Sequence, residues 1–325
     1  MLALGKLLEL TLAGREPCEK IQLTPQGVKL RWLAEGAMLV TPPDGLDDGL
    51  DLLLSAGIHG NEIIPIQLLD RLVRALARGE LLPRARLLVL FGNPLAMRAG
   101  KRQLDQDLNR LFCGAHRLAI GAEAARAAAL ERLATTFFSA PERLRRHYDL
   151  HSAMRPSRLP QFAICPWRAG EQVSAAALER LREMGVTGVL FQQQASSTFS
   201  AFSAIQLAAE AFTLELAEGD EAWRWLDRLE QSLWGMLEGR VVPSAAAPPL
   251  QHFRIAREII RRSAGFHLCV PPTIENFAPL AQGSVVAVEG DGRQWLVEEA
   301  QARLLFPMPD VAPGQRAGLI VVPCE

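Results

Sequence analysis

The sequence lacks several patterns, and each absence excludes a class of protein. Its five cysteines are scattered without a CxxC pair, so we expect neither a disulfide framework nor a cysteine-rich structural zinc site. A reducing cytoplasm fits this usage best. No apolar run approaches the ~18 residues of a membrane span. The apolar N-terminus lacks the basic start and the long apolar core of a signal peptide.

The net charge of the chain is also close to zero. The 35 Lys and Arg residues almost balance the 36 Asp and Glu residues, which leaves a formal net charge of −1. No global field therefore favours nucleic acid or an anionic membrane. With 325 residues, of which 49% are hydrophobic, the chain is long enough for a sizeable core. We expect a globular protein that binds a small molecule, and a homo-oligomer is possible.

Strand-like and helix-like segments alternate between residues 50 and 240. The apolar run LDLLLSAG precedes a segment with apolar residues at helical spacing that ends near Gly79, and RARLLVLFGNP follows as another strand. The segments HYDLHSAMRPS, GVLFQQQ and AFTLELAEG are further strands between helical stretches. This alternation predicts an α/β fold with a mixed sheet and helices on both faces. Residues 1–50 predict only an irregular start with short strands.

The composition changes at VVPSAAAPPLQ, where Pro, Ala and Ser cluster as in a linker. Beyond it, GSVVAVEGDGRQWLVEE predicts two strands joined by a Glu-Gly-Asp-Gly turn. We therefore predict a larger domain over residues 1–243, which carries the chemistry, and a small β-rich domain over residues 244–325.

Two histidines and a glutamate follow apolar strands. His59 and Glu62 form an HxxE pair in SAGIHGNE, and His151 lies in DLHS. Open α/β proteins bind ligands at the ends of their strands. Two histidines and a carboxylate with an open fourth position suit a catalytic zinc ion, and Asp149 could orient His151 from outside. An HxxE pair alone is common, so the placement after strands is what favours a metal.

A further acid is needed to carry a proton. Glu215 ends the hydrophobic strand in FTLELAEG, where partial desolvation would raise the pKa of its carboxyl toward the range of a general base. The alternative is that Glu215 is an ordinary acid at the end of a strand, but that interpretation suits Glu218 better. The other histidines lack an acid at ligand spacing and are expected to be surface or core residues: His116, His147, His252 and His267.

Four cations lie within thirteen residues of GNPLAMRAGKRQLDQDLNRLF: Arg98, Lys101, Arg102 and Arg110. A solvated helix face is the usual explanation of such a run. Asn109 and Arg110 side by side can instead hold a carboxylate, with the arginine as a bidentate fork. Arg102 can polarise a carbonyl oxygen. Arg155, which follows the His151 loop, is a further candidate for a substrate carboxylate.

The segments that carry these residues resemble the succinylglutamate desuccinylase and aspartoacylase family of zinc deacylases, which is related to the zinc carboxypeptidases. The resemblance rests on GIHGNE, GNPLAMRAGKRQLDQDLNR, DLHSAMRPS and FTLELAEG, in that order, and extends to the C-terminal part. The stretch RLPQFAI is most similar to the branch that acts on succinylglutamate. Carboxypeptidases use a mobile tyrosine in a late loop, whereas Tyr148 is the single tyrosine here, which favours the deacylase branch.

The resemblance implies one zinc ion per chain, held by His59, Glu62 and His151, with Glu215 as the catalytic acid and base. It also implies a carboxypeptidase-like α/β domain capped by a β-rich domain. The implied reaction is hydrolysis of N-succinyl-L-glutamate to succinate and L-glutamate, the last step of bacterial arginine breakdown by the succinyltransferase route.

The resemblance further implies that Asn109 and Arg110 hold a substrate carboxylate and that Arg102 polarises the scissile carbonyl. The nearest alternative is the same chemistry on another N-acyl amino acid, such as N-acetylaspartate, because pocket length depends on packing. A non-catalytic zinc-binding regulatory protein is the alternative from another class. The presence of Glu215 and of all three predicted ligands argues against it.

Overall fold

The computed structural model describes residues 3–153, 155–217, 222–240 and 249–324. The α-helices of these residues, apart from short 3-10 turns, are α1 (Leu7–Ala13), α2 (Ile63–Arg78), α3 (Pro94–Ala99), α4 (Ala122–Phe137), α5 (Ala175–Glu183), α6 (Phe199–Gln206) and α7 (Ala222–Leu237). None of the helices in the described ranges is long and apolar enough to cross a membrane.

The strands of the N-terminal and central part are β1 (Ile21–Leu23), β2 (Lys29–Ala34), β3 (Ala37–Thr41), β4 (Leu50–Ala56), β5 (Arg86–Phe91), β6 (Leu144–Ser152), β7 (Phe162–Cys165), β8 (Gly188–Phe191) and β9 (Glu210–Leu216). Those of the C-terminal part are β10 (Gln251–Ile260), β11 (His267–Leu268), β12 (Ala278–Pro279), β13 (Val285–Val288), β14 (Gln294–Leu296), β15 (Arg303–Leu305) and β16 (Arg316–Pro323).

One large mixed sheet organises the molecule, in the order β1-β2-β3-β5-β4-β6-β9-β7-β8-β10-β16-β15-β12. Its centre is parallel, because β5, β4, β6 and β9 run in one direction. Strand β7 then pairs with β9 in the antiparallel sense. The carboxyl ends of the central parallel strands therefore meet at one edge of the sheet, where open α/β folds bind their ligands.

Helices cover both faces of this sheet, as the sequence pattern predicts. Leu52 and Leu54 pack with α2, α5 and α7 on one face, and Leu53 packs with α4 and α6 on the other. Successive side chains of a strand point to opposite faces, so the continuous apolar run of β4 reflects burial on both sides. Each fully buried leucine contributes roughly 1.5–3 kcal/mol to folding.

The predicted hairpin in the C-terminal part is present, since β13 and β14 pair antiparallel in a separate three-stranded sheet with β11. Strands β10 and β16, however, extend the large sheet beyond β8. The predicted linker VVPSAAAPPLQ spans residues 241–251, and β10 begins at its last residue, Gln251. Residues 241–248, which include the predicted boundary between residues 243 and 244, lie outside the described residues, so that boundary stays a prediction.

Candidate metal centre and active site

The GIHGNE segment makes a tight turn between β4 and α2. Gly57 has a φ of +70°, in the left-handed region that favours glycine. A Cβ on Gly60 would lie 2.2 Å from the carbonyl carbon of Ala96, so only glycine fits there. The Gly60 N–H donates to the Arg102 carbonyl oxygen at 3.1 Å. The turn therefore joins this segment to the cationic loop and places Glu62 directly before the first residue of α2.

The sequence pattern predicted His151 in the loop after its strand, but His151 lies inside the strand. Glu215 was predicted at the end of its strand, and it lies there. His151 is the penultimate residue of β6, and Glu215 is the penultimate residue of β9. The two are direct partners across the parallel pair of strands. Partners in register point to the same face, so the two side chains are neighbours at the edge of the sheet.

The three predicted metal ligands converge and are almost fully buried. The Nδ1 atom of His59 lies 2.7 Å from Glu62 Oε1, and the Nδ1 atom of His151 lies 3.0 Å from Glu62 Oε2. His59, Glu62 and His151 each retain at most 3% exposure. Their donor atoms lie within 4.8 Å of one another. This group could hold a metal ion.

A carboxylate holds the outer nitrogen of each imidazole. His59 Nε2 lies 3.0 Å from Asp107 Oδ1, and His151 Nε2 lies 3.0 Å from Asp149 Oδ2. A histidine whose outer N–H is donated to a carboxylate keeps the inner nitrogen as a lone-pair donor of raised basicity. Two inward Nδ1 atoms and one inward carboxylate are the donor set that zinc takes with a fourth position open. The residues therefore fit a catalytic metal ion.

The two glutamates of the centre differ in the pKa of their carboxyl groups. Burial disfavours the charged Glu62 carboxylate, but the His151 and His59 imidazoles outweigh it and hold the pKa of Glu62 well below its usual range. Burial raises the pKa of the Glu215 carboxyl to about 7. Among the described residues, the Glu215 carboxylate makes no hydrogen bond. Glu62 is thus held as an anion, whereas Glu215 can take up and release a proton near neutral pH.

Arg102 and Asn109 lie at the rim of the centre. Arg102 Nη1 approaches Glu62 Oε1 at 3.4 Å, and Arg102 Nη2 approaches Asp107 Oδ2 at 3.7 Å. Asn109 is buried, and its Oδ1 accepts the Phe199 N–H at 3.0 Å. Its Nδ2 lies 3.5 Å from His151 Nε2. The structure brings both residues to the metal group, and their roles toward a substrate stay predictions.

Arg110 is exposed beside the centre. Its Nη1 donates to the Asn109 carbonyl oxygen at 2.9 Å, and within the described ranges its guanidinium forms no ion pair. Arg98, from the same run, instead donates to Thr11 O at 2.7 Å and to Glu35 Oε1 at 2.6 Å. Of these two arginines, Arg98 is therefore bound elsewhere, whereas Arg110 is available at the site.

Arg155 fastens two parts of the chain together. Its guanidinium donates to the carbonyl oxygens of Pro272 at 2.8 Å, Ile274 at 2.9 Å and Pro307 at 3.3 Å. These bonds anchor the loop after β6 to the C-terminal part, which gives Arg155 a structural role. Its predicted contact with a substrate carboxylate stays a prediction. Tyr148 lies on β6 as expected and is fully buried in the core with α2 and α7, on the face away from the metal group.

Three residues near the centre received no specific role from the sequence. Asp107 supports His59, and the only signal for it was its place in the DQDLNR run. His147 was expected to be a surface or core residue; it is fully buried, and it also belongs to a polar chain that leads to His151. Arg316, at the start of β16, interacts electrostatically with Arg110 and Asp107. His147 alternates with Asp149 and His151 along β6, so the sequence could have indicated that its side chain points to the same face as theirs.

A mixed α/β sheet that presents a His–Glu–His group and a desolvated acid at its strand ends has the site of a metal-dependent hydrolase. The family model of the succinylglutamate desuccinylase/aspartoacylase catalytic domain matches residues 48–231. That of the AstE/AspA barrel-sandwich hybrid domain matches residues 248–324. The chain belongs to the succinylglutamate desuccinylase/aspartoacylase family.

Similar proteins cover the whole chain. A succinylglutamate desuccinylase of Pseudomonas fluorescens is 54% identical over 99% of this chain and 98% of its own length. One from Pseudomonas aeruginosa is 51% identical over 100% of both. The crystal structure of the succinylglutamate desuccinylase from Chromobacterium violaceum superposes with a TM-score of 0.84 at 34% identity, covering 98% of each chain.

Proposed function

We propose that this protein hydrolyses N-succinyl-L-glutamate to succinate and L-glutamate with one zinc ion per chain. In the cytoplasm this would be the last step of arginine breakdown by the succinyltransferase route. The observation that carries the chemistry is the convergence of His59, Glu62 and His151 with the desolvated Glu215 at one edge of the sheet. The substrate is supported by relatives that bear this activity in their names and match nearly the full length of this chain.

The residues of the chain divide the chemistry among them. When held by His59, Glu62 and His151, a zinc ion supplies Lewis-acid polarisation and lowers the pKa of water. Glu215 accepts the proton of the water that attacks the succinyl carbonyl carbon. Arg102 donates to the carbonyl oxygen as negative charge develops there. Glu215 then passes its proton to the glutamate nitrogen as the C–N bond breaks.

The charge of the substrate matches the rim of the site. N-succinyl-L-glutamate carries three carboxylates, whereas the protein as a whole is nearly neutral. Cations must therefore be concentrated where the substrate binds. Arg110 is exposed there next to Asn109, and Arg316 of the C-terminal part lies within electrostatic range of it. We assign Asn109 and Arg110 to one substrate carboxylate.

A panel of N-acyl amino acids tests the function. Free amine release is measured for N-succinyl-L-glutamate, N-acetyl-L-glutamate and N-acetyl-L-aspartate, each with and without a zinc chelator. We expect the succinyl compound to have the highest kcat/KM and all turnover to stop with chelator and to return with added zinc. A preference for N-acetyl-L-aspartate would place the chain in the other branch of its family. Chelator-resistant turnover would contradict the zinc assignment.

Replacing Arg110 by lysine tests the carboxylate contact. A bidentate pair needs the planar guanidinium fork, which the lysine ammonium cannot reproduce. We expect Arg110→Lys to lower kcat/KM for N-succinyl-L-glutamate about tenfold or more, each tenfold being about 1.4 kcal/mol. The matched control is Arg98→Lys, in the same run but bound to Thr11 and Glu35, and it should stay within about twofold of the unchanged protein. Equal values for both variants would assign Arg110 to the solvated surface.

A further inference from the structure

Four buried polar side chains form a continuous hydrogen-bonded chain behind the metal group. Ser203 Oγ lies 2.8 Å from His147 Nδ1, and His147 Nε2 lies 2.8 Å from Ser55 Oγ. Ser55 Oγ donates to Asp149 Oδ1 at 2.6 Å, and Asp149 Oδ2 lies 3.0 Å from His151 Nε2. All five residues are at most 2% exposed. The chain thus connects α6 to a predicted metal ligand without contact with water.

Strand geometry explains the alignment. His147, Asp149 and His151 alternate along β6, so their side chains point to the same face. Ser55 on β4 is the direct partner of Asp149 across the parallel pair, which places its hydroxyl on that face as well. Ser203 reaches down from α6, which packs on this face. The four groups are therefore held by rigid elements and not by loops.

The donors and acceptors can be ordered along the chain. A hydroxyl carries one hydrogen, and an ionised carboxylate only accepts. Because Ser55 donates to Asp149, its oxygen must accept the N–H of His147 Nε2. Burial lowers the pKa of His147 to about 4, so the ring is neutral and its Nδ1 has no hydrogen. That Nδ1 atom accepts the Ser203 hydroxyl. Every link then has one donor and one acceptor.

We propose that Ser203, His147 and Ser55 are positioning residues that, through Asp149, hold His151 as the tautomer protonated at Nε2. In this tautomer the Nδ1 lone pair of His151 points inward beside Glu62, where it would serve as a metal ligand. The other orientation of the chain would leave Asp149 without a donor from Ser55, a costly defect in a buried carboxylate. The chain thus preorganises a ligand that the protein must present in one protonation pattern.

A purely structural network would behave differently. Buried polar groups need partners in any protein, and removing one partner lowers stability wherever it lies. A positioning chain must in addition change metal affinity, since removal of a group that orients a histidine ligand weakens binding about 10–100-fold. Metal affinity therefore distinguishes a positioning chain from a purely structural network, whereas stability does not.

The test measures the zinc dissociation constant of the full chain by competition with a chelating dye, together with thermal unfolding of the metal-free protein. We expect Ser55→Ala to weaken zinc binding about tenfold. His147→Leu should act similarly, whereas His147→Gln, whose amide offers both a donor and an acceptor, should recover most of the affinity. The matched control is Ser200→Ala, which removes a buried hydroxyl paired with Thr213 at 2.8 Å but not joined to His151. Its zinc affinity should be unchanged.

The result that overturns the proposal is a zinc affinity of Ser55→Ala equal to that of the unchanged protein. Ser55→Ala decides the question even when His147→Leu does not fold, because it removes a single oxygen. The inference rests on the proposed zinc site but not on the substrate. If the wild-type protein binds no zinc, the proposed function is wrong. If the wild type and Ser55→Ala bind zinc with equal affinity, only the proposed positioning chain is wrong.

Discussion

Replacement of His151 by alanine should remove most of the bound zinc and lower kcat/KM on the order of a thousandfold, because the proposed zinc ion would supply several kcal/mol of transition-state stabilisation. The unchanged protein should carry about one zinc per chain by metal analysis. His151 supplies one of three converging donor atoms, and its loss leaves only the donors of His59 and Glu62. Two donors cannot complete the set that zinc takes in catalytic sites.

The fold should survive this change. The core on both faces of the sheet contains many fully buried apolar side chains and does not depend on a metal for its formation. Far-ultraviolet circular dichroism of His151→Ala should therefore match that of the unchanged protein. The control is His267→Ala, an exposed histidine on β11, which should retain both zinc and activity. Full zinc retention in His151→Ala would remove His151 from the metal site.

The second large effect is expected at Glu215. The Glu215→Gln variant keeps the size of the side chain but removes the carboxyl group that we propose as the proton carrier. We expect kcat to fall roughly 10²-fold or more, the usual scale for loss of a general acid or base. Zinc content should stay near one per chain, because Glu215 is not among the three converging ligands. Substrate binding should also remain, since Asn109 and Arg110, the residues proposed to hold a substrate carboxylate, are untouched.

Turnover and zinc content must be measured on the same preparation. The control is Glu210→Gln at the other end of β9, where the carboxylate pairs with Arg180 away from the metal group. Its kcat should change little. Activity of Glu215→Gln within a few-fold of the unchanged protein would contradict the assignment and move attention to Glu218, which lies outside the described residues. Loss of zinc together with activity would instead make Glu215 a ligand.

The fold class follows from the sequence because it depends on local patterns. The alternation of apolar runs and helical spacing between residues 50 and 240 predicts a mixed sheet with helices on both faces, and the structure confirms it. Among the elements that the sequence did not predict are α1, β7 and α6. Helices α1 and α6 are only seven and eight residues long, too short for a clear helical period. Strand β7 has four residues and depends on its partners β9 and β8.

Local patterns in the sequence are enough to choose the residues near the ends of the strands: His59 and Glu62 after β4, His151 on β6 and Glu215 on β9. Placement after an apolar run is a local property, so these candidates could be chosen before any contact was known. Their family motifs are likewise contiguous in the chain.

How these residues meet depends on contacts between distant segments of the chain. The parallel register sets His151 beside Glu215 and Ser55 beside Asp149, and register is a property of two strands that no single segment encodes. The support of His59 by Asp107, and the capture of Arg155 by three main-chain carbonyls, depend on loops that approach from distant parts of the sequence. Residue types set the available chemistry, whereas long-range packing sets which atoms face one another.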